Sequence, residues 1–212
     1  MDQRSVLRDS LGSFLRNLWD LMILNWLWLL CSLPVITLGA STCGLYRVVL
    51  KMARKEPVYP VKDFFRGFRD SWKQGTVLGL LAAALLAVTA ADAIFAIGQT
   101  GMLRSVYLTL AIVVASVLLT VTAYGFALQA MYHNSVKGIL LNAAKLAVIA
   151  PGKTVLMWII LLTPAALFLL LPPIALQMLG FLYIILGVSG PVYGCSHILR
   201  DLFDKVANAA VK

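Results

Sequence analysis

Residues 60–74 read PVKDFFRGFRDSWKQ, and residues 75–103, GTVLGLLAAALLAVTAADAIFAIGQTGML, follow with no Lys or Arg and a single charge, Asp92. In the first stretch Val61, Phe64, Phe65, Phe68 and Trp72 recur at helical spacing, while Lys62, Asp63, Arg66, Arg69, Asp70 and Lys73 fill the other positions. One face of the predicted helix is therefore aromatic and the other charged. An ordinary surface helix on a soluble core shares that pattern. The uncharged run behind it does not, because it is long enough to cross a bilayer. Together they predict an interfacial helix turning into a membrane span, with Phe64, Phe65, Phe68 and Trp72 at the headgroup boundary. Arg66, Arg69 and Lys73 would then reach anionic lipid heads or a cytoplasmic partner.

The whole chain has the same character. Of its 212 residues 61% are hydrophobic and 13% charged, with a mean hydropathy of +0.89, which excludes an ordinary soluble domain. The expected fold class is all-α: a polytopic helical membrane protein of three helical hairpins, with five or six membrane segments, each hairpin preceded by an amphipathic interfacial helix. A net charge of +9 raises the question of nucleic acid. Lys and Arg, however, cluster at the edges of apolar runs, as membrane topology requires, so no nucleic-acid partner is expected. The first twenty residues lack an apolar core ending in a small-residue cleavage site, so the first hydrophobic segment is expected to stay as an anchor. Cys31, Cys43 and Cys195 lie in or beside apolar runs without metal-ligand spacing and read as small hydrophobes.

Along the chain, residues 1–56 read as an amphipathic segment (6–18, with Leu7, Leu11, Phe14, Leu15 and Leu18 on one side) and a short first hairpin. Leu21–Tyr46 is a run of 26 uncharged residues broken by Pro34 and Gly39, too long for one simple span and short for two. The basic residues weigh on the choice. Three lie in residues 1–20, eight between Arg47 and Lys73, one at Arg104, three between Lys137 and Lys153, and three from Arg200 onward. A hairpin turning near 32–41 leaves only Arg104 outside and both termini cytoplasmic, in a bacterial cytoplasmic membrane. Arg47 and Lys51 must then snorkel or lean on partner helices. A re-entrant arm fits the same charges, and five full crossings with an outside amino terminus is the rival. Residues 60–132 form the second interfacial helix and hairpin, and residues 135–199 the third, with its arms divided at Pro172-Pro173 and a cytoplasmic tail over 200–212. The units beginning PVKDFF and SVKGIL both run from a Val-Lys pair to a Thr-Val-Leu that opens a span, as a parallel repeat would.

Chemistry-bearing groups are sparse. Gly75, Gly79, Ala83, Ala87 and Ala91 make a small-residue ridge for helix packing, and Gly190 and Gly194 (with Gly187) do the same on the last arm. Asp92 is the one carboxylate inside an unambiguous span, a candidate for ion or substrate contact or for a wet position near the outer interface. Asn25, Tyr124 and Gln129 are further polar groups at membrane depth, expected to make interhelical hydrogen bonds. His133 and His197 read as interfacial. No phosphate loop, zinc-protease helix or nucleophile elbow occurs, so no enzyme activity, metal or cofactor is expected.

The run NLWDLMILNWLWLLCSLPVITLGASTCGLYRVVLKMARKE, followed by VKDFFRGFRDSWKQGTVLGLL, resembles the YesL-like family of bacterial membrane proteins, which is defined by a domain of unknown function. The likeness is strongest over residues 14–80, in Leu24–Leu30 (with Trp26 extra), Leu33-Pro34, Gly39-Ala40-Ser41-Thr42 and the aromatic helix. The resemblance implies a cytoplasmic-membrane protein, mostly of Gram-positive bacteria, encoded beside sugar transporters that use solute-binding proteins and beside polysaccharide-degrading enzymes. It transfers no binding or catalytic residue. The expectation is an accessory or scaffold protein of carbohydrate uptake, partnered by anionic lipid and by subunits of a sugar transporter of the ATP-binding-cassette (ABC) type. The alternative is a small-solute or ion transporter or channel, alone or as a homo-oligomer.

Overall fold

A computed structural model describes residues 3–132, 135–170 and 173–210, and the side chains of these except 3–11, 168–169, 173–179 and 205–210. The Pro172 turn, His133 and the polarity of residues 6–11 thus lie outside the described residues. All regular structure among the described residues is helical.

Helix α1 (Gln3–Ser32) carries the amphipathic segment and the apolar one without interruption, since nothing in Leu18-Trp19-Asp20-Leu21 breaks a helix. It stops where Leu33-Pro34 denies the next turn its N–H donor. A short 3-10 turn over Val35–Thr37 follows, in which the Thr37 hydroxyl reaches the Cys31 and Pro34 carbonyls that the ending helix frees. Helix α2 (Leu38–Ala53) then runs back along α1, and Trp28 Nε1 donates to Thr42 Oγ1 across the pair at 3.1 Å. It ends on Lys55, whose φ of 58° is left-handed, with the Glu56 N–H on the Lys51 carbonyl (3.0 Å) and the Lys55 N–H on the Met52 carbonyl (3.0 Å). That is a Schellman closure with lysine where glycine is usual.

Helix α3 (Pro60–Asp70) starts on a proline, whose missing N–H costs nothing there. It is separated at Ser71 from α4 (Trp72–Ile97). Gly101, at φ +63°, turns the chain into α5 (Gly101–Thr120), and a π turn at Val121–Gly125 leads into α6 (Phe126–Met131). Helix α7 (Val136–Ile149) meets α8 (Pro151–Leu170) at a 109° bend, where Pro151 and Gly152 end the weak amphipathic stretch. Helices α9 (Pro173–Leu186) and α10 (Ser189–Ala210) are bent by 49° at Gly187-Val188.

The core is built round α2, which touches α1, α3, α4, α6 and α10. Its span is 67% buried, against 11% for α4 and 17% for Gly101–Met131. Outward faces of α4 and α5 carry Leu80, Leu86, Ile94, Phe95, Ile112 and Val113, all exposed. Such a surface suits hydrocarbon rather than water. Among the described residues three helices are long and apolar enough to cross a membrane, or up to five if each bent pair is one span. The protein is an all-α helical membrane protein.

Inside lipid, helices are held by close packing more than by burial of oily surface. Two crossings on α2 achieve that closeness. At the first, a Cβ on Gly39 would meet the Gly75 carbonyl and, at 2.8 Å, the Gly79 Cα. At the second, a Cβ on Gly44 would stand 2.9 Å from the Phe64 carbonyl, and one on Gly67 3.1 Å from the Gly44 Cα. The Phe64 side of α3 is therefore turned onto α2. Phe64 is fully buried, stacking with Phe68 at 6.4 Å, while Phe65 and Trp72 stay 46% and 44% exposed. The reading of all four aromatics at a lipid boundary is corrected for Phe64: the glycine crossing draws α3 so close that its ring enters the core.

Gly39→Ala is expected to cost about 1–3 kcal/mol, because the new methyl meets backbone that no rotamer change can clear. Gly152→Ala, with no neighbour within 4 Å, should leave the thermal midpoint in detergent unchanged or slightly raised. Lys55→Gly should raise it, relieving about 1 kcal/mol of left-handed strain.

Candidate functional site

The basic residues that the sequence leaves unpaired inside α2 find partners on α3. Arg47 Nη1 donates to Asp70 Oδ2 at 2.7 Å, and Lys51 Nζ to Asp63 Oδ1 at 2.9 Å. Asp63 is buried, and its second oxygen accepts the Tyr59 N–H at 3.1 Å, fixing the start of α3. Burial alone would push its pKa up. The Tyr59 N–H, the hydrogen bond and charge of Lys51 and the charge of Arg66 outweigh it and hold the carboxyl below the ordinary range. Arg54 Nη2 lies 3.7 Å from Asp204 Oδ1, and Arg200 Nη1 donates to the Ala53 carbonyl at 2.8 Å. The last turn of α2 is thus closed by a side chain from α10. Arg66, Arg69 and Lys73 point outward, exposed, beside Phe65 and Trp72.

The polar groups at membrane depth divide. Asn25 is fully buried. Its Nδ2 donates to the Ile184 carbonyl (2.7 Å), and its Oδ1 accepts the Val188 and Ser189 N–H groups (3.0 and 3.1 Å). A side chain of α1 so bridges the break between α9 and α10. Tyr124, in the π turn, shares a hydrogen bond with Thr154 of α8 at 2.9 Å, and Thr154 in turn donates to the Ala150 carbonyl at 3.0 Å. Tyr46 of α2 donates to the Thr122 carbonyl at 3.1 Å, within the turn where a π bulge loosens the backbone ladder. Gln129 Nε2 donates to Gln74 Oε1 at 2.8 Å, leaving its own Oε1 enclosed without a partner. Asp92 is half-buried, and its Oδ2 is likewise enclosed and unpartnered. Asn25, Tyr124 and Gln129 each make their hydrogen bonds to other residues than Asp92.

Of the small-residue ridge, Gly75 and Gly79 are buried against α2, while Ala83, Ala87 and Ala91 are exposed. The contact face drifts to Leu78 and Ala82, as 3.6 residues per turn requires of a four-residue repeat. Gly194 faces Ile160 of α8, and Gly190 touches only Leu186 of the preceding helix. Among the described residues no three His, Cys, Asp or Glu side chains come together as a metal would need. Gly39, Gly44 and Gly67 carry close packing between helices that no pattern along one helix distinguishes. Their signal was pairing: glycines on α2 opposite glycines on the next two helices.

Residues 21–93 match a family model. It is described as "Protein of unknown function, DUF624". No curated protein and no solved structure matches the chain. The matched stretch runs from the apolar half of α1 into α4. It contains both glycine crossings and both ion pairs that tie α2 to α3.

Asn25→Leu is expected to cost about 1–3 kcal/mol by leaving the Val188 and Ser189 N–H groups without an acceptor, read as a lower midpoint in detergent. Because folding lowers the Asp63 pKa, its contribution is present above the ordinary carboxylate range and is lost as pH falls through the lowered value. The midpoint of the parent should therefore drop on acidification below about pH 4, and that of Asp63→Asn should drop less.

Proposed function

We propose that this chain is a YesL-like protein of the bacterial cytoplasmic membrane, serving carbohydrate uptake as an accessory or scaffold component. Both termini would be cytoplasmic. The reading is supported chiefly by the use made of the buried polar groups: Asn25, Tyr124 and Thr154 spend their hydrogen bonds joining helices. The long apolar faces of α4 and α5 are left uncovered for lipid, a second copy or transporter helices. The carbohydrate link itself comes from the family resemblance. Mild crosslinking in the native host followed by purification should recover sugar-transporter subunits; repeated recovery of the protein alone would count against the scaffold.

For topology, the depth of α2 favours a re-entrant hairpin. Gly39 at its start packs on Gly75 and Gly79, near the beginning of α4. At 1.5 Å per residue the α1–α2 tip then sits roughly 27 Å short of the far end of α4. The tip residues Leu33, Val35 and Ile36 are exposed and apolar, as befits hydrocarbon. In a protein stripped of native cysteines, Met102→Cys should label from outside with a membrane-impermeant maleimide. Lys62→Cys should label only after permeabilisation, and Ile36→Cys from neither side.

A transporter reading has one observation of its own, the unpartnered Asp92 Oδ2. If Asp92 handles an ion or solute, Asp92→Asn abolishes uptake in vesicles; parental behaviour in every assay sinks that role.

A further inference from the structure

The C-terminal half of α2 carries three cations one turn apart, Arg47, Lys51 and Arg54, and they open onto a common cavity. It has a volume of about 170 Å³ and is lined also by Leu50, Glu56, Ala130 and Met131. This is far more than one ordered water needs. The three cations are each about one-quarter exposed, so their heads are partly withdrawn from water. Their known partners do not exhaust them. Arg47 spends Nη1 on Asp70, and Lys51 spends one proton on Asp63. The Arg54 Nη2 is 3.7 Å from an exposed Asp204, which is a weak pairing. Its Nε is enclosed with no hydrogen-bond partner among the described residues.

Two features argue for an anion with several acceptor oxygens. Two close carboxylates against three guanidinium and ammonium groups on one helix face leave an excess of positive charge, and enclosed N–H donors cost free energy until something accepts from them. Phosphate offers several oxygens to a forked arginine and a lysine at once, whereas chloride offers no oxygen at all. The acidic groups near the cavity fit this picture. Asp63 and Asp70 sit on the α3 side and Asp204 on α10, each holding one cation from outside. Glu56 is exposed, with its backbone N–H committed to the Lys51 carbonyl.

We propose that this cavity between α2 and the end of α6 is a binding site for a phosphate-bearing anion, with Arg54 as its principal ligand and Arg47 and Lys51 flanking it. The end of α6 that walls the cavity meets the start of α4, where Gln129 Nε2 donates to Gln74 Oε1, and in the topology proposed above that end of α4 is the one nearer the cytoplasmic headgroups. The occupant is therefore either an anionic phospholipid headgroup or a free phosphate compound. This site is independent of the uptake reading, since it asks only that the chain bind phosphate at one end of its bundle.

The test is thermal unfolding of the full chain in nanodiscs of phosphatidylcholine alone, in nanodiscs also containing phosphatidylglycerol, and in the former with added inorganic phosphate. Ligand that binds the folded state raises the midpoint by mass action. Protection by phosphatidylglycerol alone assigns a lipid headgroup; protection by inorganic phosphate as well assigns a free phosphate compound. Arg54→Gln should weaken the protection about tenfold. Met131→Glu, which adds a carboxylate to the wall, should weaken it too, while Lys145→Gln on the exposed face of α7 should leave it intact. The proposal is overturned if neither lipid nor phosphate protects, or if a folded Arg54→Gln or Met131→Glu protein is protected as well as Lys145→Gln.

Discussion

Helices in hydrocarbon have little to gain by hiding apolar side chains from one another, so their association depends on how near their backbones can come. In this protein that constraint falls on α2. Gly39 against Gly75 and Gly79, and Gly44 against Gly67, let three helices touch main chain to main chain. Such contact sums many small dispersion gains and admits no intervening side chain. Everything else is arranged round it: α3 rolls its Phe64 inward, α4 takes its direction from the crossing, and α1 and α10 fill the remaining sides.

A helix so enclosed cannot also be wholly apolar here, because its far half carries Arg47, Lys51 and Arg54. Buried charge is costly unless paired and hydrogen-bonded. The carboxylates of α3 supply that pairing at two positions, which makes the amphipathic helix a counter-charge for α2. The same helix thus contributes its aromatic side to packing and its acidic residues to electrostatics. Its basic residues Arg66 and Arg69 remain outside.

Much of this was legible in the chain and some was not, for identifiable reasons. The period of Phe64, Phe68 and Trp72 correctly announces a helix with one apolar face. Periodicity, however, says nothing about what covers that face, and a neighbouring helix covers Phe64 while Phe65 and Trp72 stay exposed. The expectation that Asn25 and Tyr124 join helices followed from the scarcity of water at membrane depth. Their partners, Val188 and Thr154, lie too far along the chain for any local pattern to reveal. Arg47 and Lys51, spaced four apart in an apolar run, advertised a need for carboxylates, yet only the fold could say that Asp70 and Asp63 meet it. The alanine ridge overreached, because four-residue spacing drifts off one side of a straight helix within three turns.

The Asn25 bridge also bears on the order in which the protein can be made. Its carboxamide, near the beginning of the chain, bonds backbone groups 163 and 164 residues later, and Arg200 closes the end of α2 from almost as far. A ribosome delivers α1 and α2 long before α10 exists. The first hairpin must therefore wait with its amide and its final carbonyls unclaimed, and α10, emerging long after them, completes the first two.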